Sequence, residues 1–177
     1  MPRNANAIQQ NATKSRDLDA FDRRILSVLV RDANVSYADL GQRIGLSAPA
    51  VHERVKRMRR TGVIRQTSVL LDPVAIGKPL LAFVHVDVRG WCNAPQLLAI
   101  ADLPEVEEVH TVAGDTGMLL KVRTENSHAL EGLLAHIYDV PGVITTRSYI
   151  VLSAYMERPV QPDTTKDWPS PQKTRSF

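Results

Sequence analysis

The sequence predicts an α+β protein of two small domains, and three observations carry that prediction. Apolar residues first recur at three- and four-residue steps over three short segments, the period of helices buried on one side. From about residue 80 the pattern changes to β-branched and aromatic runs with a two-residue tendency, the period of strands. Charge divides near the same place: residues 1–70 hold 13 Lys and Arg against 6 Asp and Glu, and residues 71–177 hold 9 against 13. A basic first half beside a mildly acidic second half implies one module that meets a polyanion and another with a different task.

The totals narrow the class. The 177 residues fit one domain or two small ones, and 44% hydrophobic residues suffice for a core. Cys92 is the single cysteine, so no intrachain disulfide forms, which fits a reducing compartment. It reads as a partly buried apolar residue rather than a nucleophile. No run of 18 apolar residues exists, so no membrane span is expected, and the N-terminus lacks the apolar centre of a secretory signal. The expected location is the cytoplasm, at the nucleoid. His110, His128 and His136 are scattered without supporting ligands, so no metal site and no cofactor is predicted.

Taken in order, residues 1–16 are rich in Asn, Gln and Ala and read as a tail. Leu18, Phe21, Ile25, Val28 and Leu29 give the first helical stripe, with Asp17, Asp19 and Asp22 at its N-terminal end. Ser36 is the N-cap of a second helix that carries Ala38, Leu40 and Ile44 and ends at Gly45. Ser47 caps a third helix, where Pro49 is tolerated in the first turn because its missing N–H would be unpaired there. Val51, Val55 and Met58 form the buried stripe of this helix, while Pro49, Glu53, Lys56, Arg57 and Arg60 project from the other side. An extended run from Val63 to Leu71 follows. Three short helices, a Gly-Leu-Ser turn and a strand outline a winged helix-turn-helix domain over 17–71.

Residues 72–79 (DPVAIGKP) read as a linker. Beyond it come a strand at 80–88, a helix at 94–101, strands at 106–112 and 118–123, a helix from Ser127 to about Tyr138, and a last strand at 144–155. That order, β-α-β-β-α-β, is the ferredoxin-like arrangement over 80–157. Residues 158–177 carry four prolines and read as a flexible tail.

With both halves placed, the chain resembles the Lrp/AsnC, or feast/famine, transcription regulators. The residues that carry the resemblance are LDAFDRRIL (18–26), SYADLGQRIGLSAPAVHERVKRMRRTGVI (36–64) and LDPVAIGKPLLAFVHV (71–86). LPEVEEVHTVAGDTGMLLKVR (103–123) and VPGVITTRSYIVL (140–152) complete it. The resemblance spans most of 17–157 and implies a DNA-binding helix-turn-helix joined to a RAM-type domain that binds a small molecule, often an amino acid, and forms dimers, tetramers or octamers. It implies a regulator and no enzyme. The alternatives are a haem-biosynthesis decarboxylase of the same architecture and a nucleoid-associated architectural protein.

DNA presents a row of phosphates, so a binding face needs Lys and Arg for charge and small polar groups for close approach. The predicted DNA-binding set is Ser36, Tyr37, Ser47, Ala48, Pro49, His52, Glu53, Arg54, Lys56, Arg57 and Arg60. Glu53 can accept from cytosine N4. Arg54 lies nearer the buried stripe than Lys56 does, which leaves it a second role as a brace to another helix. The predicted effector set is Gly114, Asp115, Thr116, Gly117 and Met118, with Thr146 and Ser148 from the last strand. Backbone N–H groups near the glycines would hold a carboxylate and Asp115 an ammonium. The alternative is that AGDTG is only a hairpin turn. In the family this loop commonly reads Gly-Asp-Tyr-Asp-Tyr, so here an ammonium would meet less negative charge. Leu81, Phe83 and His85 alternate with Ala82, Val84 and Val86, so both sheet faces carry apolar groups, which predicts a homodimer packed through the exposed face.

Overall fold

The computed structural model describes residues 18–90 and 95–165. The expected N-terminal tail, Cys92, the first residue of the helix expected from Ala94, and the chain after Thr165 lie outside the described residues. The chain divides into two compact units, one of residues 1–68 with 158–177 and one of residues 69–157.

The first unit is built on three helices: α1 (Ala20–Leu29), α2 (Tyr37–Ile44) and α3 (Ala48–Arg60). Each opens on a side-chain cap, as orphan N–H groups at a helix start require. Asp19 and Asp22 form a reciprocal capping box on α1, Ser36 accepts from the Asp39 N–H, and Ser47 accepts from the Ala50 N–H. Helix α2 ends on Gly45 in the left-handed region at φ 78°, which glycine adopts without a Cβ clash. Ile25, Leu40, Ile44, Val51, Val55 and Met58 form the buried core, with Leu46 packed against it from the turn.

The strand expected over Val63–Leu71 is not formed. The Val63 and Ile64 N–H groups both donate to the Met58 carbonyl and close the end of α3. The residues after them join no ladder, and the only sheet among the described residues has four strands, all in the second unit. Strand-forming side chains need a partner edge, and this stretch has none. The tail expected to stay unpacked is corrected over Arg158–Thr165, which belongs to the first unit. Arg23 donates to the Pro162 carbonyl at 2.7 Å and the Ser27 hydroxyl to Asp163 at 3.1 Å. Pro159 and Val160 border a cavity of about 360 Å³ with Leu26, Leu29, Val63 and Ile64.

The second unit is a four-stranded antiparallel sheet of β1 (Leu80–Val88), β2 (Val106–Thr111), β3 (Met118–Thr124) and β4 (Val143–Ile150), in the order β2-β3-β1-β4. Helix α4 (Pro95–Leu98) with a following 3-10 turn (Ala99–Asp102) and helix α5 (Ser127–Tyr138) complete it. This is the βαββαβ order read from the sequence. Asn126, rather than Ser127, caps α5, accepting from the Ala129 N–H. Strand β4 ends five residues earlier than expected.

Strand parity fixes the core. Ala82, Val84 and Val86 of β1 stand opposite Val122, Leu120 and Met118 of β3, and all six are wholly buried with Leu97, Ile100, Leu130, Leu133 and Ile137. Residues of opposite parity form the other face: Phe83 opposite Lys121 and Tyr149, and His85 opposite Leu119 and Arg147. A register shift between Val106 and Glu108 marks a bulge in β2. There Glu107 meets Lys121 at 3.0 Å and Arg123 at 2.8 Å. Glu157 completes the network, 2.8 Å from Lys121 and in contact with Arg123.

Candidate nucleic-acid interface and ligand loop

The DNA-facing candidates fall into two groups. Ser36 and Ser47 stand at the N-terminal ends of α2 and α3, with Tyr37, Ala48 and Pro49 in the adjoining first turns. The Ser36 hydroxyl also donates to the Asp39 carboxylate at 2.7 Å, so its proton is committed within the helix. The Tyr37 ring lies 5.5 Å from the His52 ring, which brings the start of α2 onto the first turns of α3. His52 Nδ1 is 3.6 Å from the Glu53 carboxylate, and both side chains are exposed. Lys56 and Arg60 are exposed and form no ion pair among the described residues.

Arg54 and Arg57 form the second group, and α1 holds both. Arg54 donates through one nitrogen to Asp19 at 2.6 Å and Asp22 at 2.9 Å, and its guanidinium lies 5.5 Å from the Phe21 ring centre. It takes the bracing role. Arg57 donates to the other oxygen of Asp22 at 2.5 Å, while about half of its side chain stays in solvent. Asp22 is wholly buried, so its carboxylate must be paired, and it is paired twice. The Asp22 backbone N–H, followed by Arg54, holds the Asp19 carboxyl below its usual range, and Asp19 with Asp22 raises Arg54 in turn.

Sequence reasoning missed the role of Asp22 and also missed Gly41. A signal for the first existed: Asp22 sits four residues after Leu18 and three before Ile25, inside the apolar stripe, where an acid needs a partner. For Gly41 the signal was a glycine in mid-helix, which costs about 1 kcal/mol relative to Ala unless packing requires it. A Cβ there would stand 2.4 Å from the Leu46 carbonyl oxygen, so the turn backbone occupies the space of a side chain.

The ligand-loop candidates divide as well. Gly114 and Asp115 are exposed. Thr116 is buried, its hydroxyl lying 3.2 Å from the Val86 carbonyl and 3.3 Å from that of Met118. The Val112 N–H donates to the Gly117 carbonyl and closes the loop. Met118 is withdrawn from the candidate set: it is the first inward residue of β3, and its side chain is wholly in the core. Arg147, not expected, reaches the loop instead. It lies 3.6 Å from the Asp115 carboxylate, donates to the Asp115 carbonyl at 3.4 Å, and lies 3.7 Å from Asp87. Thr146 and Ser148 flank Arg147 on β4, so their side chains leave the opposite face of the sheet. The structure brings Asp115 to Arg147 and does not bring Thr146 or Ser148 to that same face.

These features define a helix-turn-helix protein with a separate α+β domain, and comparison with known proteins places that class. Residues 18–59 match the AsnC-type helix-turn-helix domain and residues 81–161 the Lrp/AsnC ligand binding domain. The HTH-type transcriptional regulator FL11 of Pyrococcus horikoshii is 34% identical over 140 residues, covering 79% of this chain and 93% of that one. The leucine-responsive regulatory protein of Escherichia coli K12 is 38% identical over 143 residues, covering 77% and 86%. A transcriptional regulator from Neisseria meningitidis, solved as an L-Met complex, superposes with a TM-score of 0.75 at 28% identity, covering 80% and 94%. The chain belongs to the Lrp/AsnC family of DNA-binding transcriptional regulators.

Proposed function

We propose that the chain binds double-stranded DNA through α3 and the N-terminal ends of α2 and α3, with Lys56 and Arg60 on phosphates and His52 and Glu53 toward base edges. The observation that carries this reading is a capped helix end of small residues, Ser47, Ala48 and Pro49, with exposed cations along the face behind it. It acts in the cytoplasm, at the nucleoid, as a regulator and not as an enzyme.

The second unit supports self-association. Its open sheet face carries Phe83 and Tyr149, and the chain leaving β4 holds Leu152 and Tyr155 almost fully in solvent, at 95% and 99% exposure. Apolar surface of this extent favours cover by a second copy, giving a homodimer that presents two α3 helices, with dimers assembling further into tetramers or octamers. The effector is an amino acid or a related metabolite. A methionine complex of a relative supports this class of ligand, and the Asp115–Arg147 pair offers one group for an ammonium and one for a carboxylate.

The test is binding to the region upstream of its own coding sequence at fixed salt, with excess random competitor, with and without L-methionine or L-leucine. Competitor-resistant binding that either amino acid shifts is the expected result. Equal affinity for random DNA would favour an architectural role, and no heat from any of the twenty amino acids in calorimetry would reduce the 112–117 loop to a turn.

A further inference from the structure

The sequence places five cations on α3: Arg54, Lys56, Arg57, Arg59 and Arg60. The structure does not leave them equivalent. Lys56, Arg59 and Arg60 are exposed and form no ion pair among the described residues, whereas Arg54 and Arg57 converge on the start of α1. There two carboxylates from one turn meet two guanidinium groups from two successive turns of α3. A carboxylate offers a guanidinium much the same planar pair of anionic oxygens as a phosphate. Asp19 and Asp22 therefore occupy on Arg54 and Arg57 N–H groups that could otherwise bind a phosphate oxygen.

We propose that Asp19 and Asp22 are specificity-setting positioning residues: they stand in for phosphates on Arg54 and Arg57, and so limit binding to DNA of arbitrary sequence. The proposal rests on the reading of α3 as the DNA-facing helix. The physical argument is one of counting. Non-specific affinity scales with the number of phosphates neutralised, and each contact contributes about 0.9 to the slope of log affinity against log salt. With Arg54 and Arg57 satisfied internally, those two cations add little to a contact any duplex can make. Asp22 cannot exchange its partners for water, being wholly buried. Asp19 is half exposed and is the weaker restraint. The arrangement also fixes the direction of Arg57: one nitrogen is held, and the rest of the fork points outward from a set position.

The experiment measures binding to a random-sequence duplex and to the fragment upstream of the coding sequence, each over a salt series, for Asp19→Asn and Asp22→Asn. Asn keeps the capping oxygen, so α1 retains its start. Affinity for random duplex is expected to rise about 3- to 10-fold at low salt in Asp22→Asn, with a slope steeper by up to about 0.9 per released guanidinium. Asp19→Asn should move in the same direction by a smaller amount, and the ratio of upstream-fragment to random affinity should fall in both. Asp19→Asn alters an exposed group, so it serves if Asp22→Asn does not fold. Unchanged slope and random-duplex affinity in folded variants would overturn the proposal, as would a drop in both. Lys56→Ala and Arg60→Ala separate the two readings: if they leave the slope unchanged, it is the α3 interface that fails.

Discussion

Glu157 shows how a single carboxylate can hold a segment that has no regular structure. It lies seven residues beyond the end of β4, yet Lys121 and Arg123 hold its carboxyl below the usual carboxylate range. Lys121 is affected in return: burial works against its charge, but Glu157 and Glu107 outweigh that and raise it. A lowered carboxyl contributes stability that is full above its unfolded value and is lost as pH falls through its folded one. Glu157→Gln should therefore be less stable than the parent near neutral pH, by about 1 kcal/mol or less because the pair is partly screened. The difference should close as pH is lowered through and below the ordinary carboxylate range, and paired thermal melts across that range check it. Equal deficits at both ends would mean that the loss is one of packing. Ion pairs of this kind were the part of the site least legible in the sequence. Asp22 and Arg57 stand 35 residues apart, and Asp115 and Arg147 stand 32 apart. No local period announces either contact. Val51, Val55 and Met58, by contrast, share a stripe that helical spacing alone defines, and all three are buried as expected.

At the scale of elements, the crossing of α2 and α3 depends on Gly41. The Gly45 and Leu46 N–H groups both donate to its carbonyl at 2.9 Å, which folds the turn back onto the helix it ends. A methyl group at 41 would meet a backbone oxygen, which cannot rotate away as a side chain would. Gly41→Ala should cost about 2 kcal/mol or more and lower DNA affinity with it, although Ala is the better helix former. A melt showing equal or greater stability would mean that the turn relaxes freely. Elements with their own cap and period were legible: the three helices of the first unit and the four strands all form, although β4 stops five residues short of the run that suggested it. The strand expected after α3 was not, because Val, Leu and Thr favour a pleated strand only when a neighbouring edge supplies the hydrogen bonds. Met118 was misassigned for a related reason. It was grouped with the ligand loop although it opens the strand read over 118–123, and the parity of that strand points it into the core.

At the scale of the whole molecule, the proposed self-association rests on the apolar surface that the second unit leaves exposed. Phe83 and Tyr149 pair across β1 and β4 on the open face, and His85 lies 5.1 Å from the Tyr149 ring. A carboxylate placed among these rings would have to be desolvated on association, and the cations of that face, Lys121 and Arg147, already face other carboxylates. Tyr149→Glu should shift the protein toward monomers in sedimentation and weaken DNA binding by tenfold or more, since a two-fold site then meets one α3 at a time. An unchanged sedimentation profile would locate the interface elsewhere.

The first unit is made from two stretches of chain with the entire second unit between them. Synthesis delivers those stretches at different times. Three helices leave the ribosome first, and Arg158–Asp163, which meets α1 at Pro162 and Asp163, follows only after the second unit, on the order of 5 to 20 seconds later. The helices are expected to hold their fold through that interval alone, since their buried core of Ile25, Leu40, Val51, Val55 and Met58 lies wholly in the first stretch. A chain stopped after Glu157 should accordingly keep its helical content, with faster hydrogen exchange confined to α1, and loss of the helices would mean that the returning segment is part of their core. On that expectation, the docking of that segment onto α1 follows synthesis of the second unit and marks a nascent chain in which that unit has already been made.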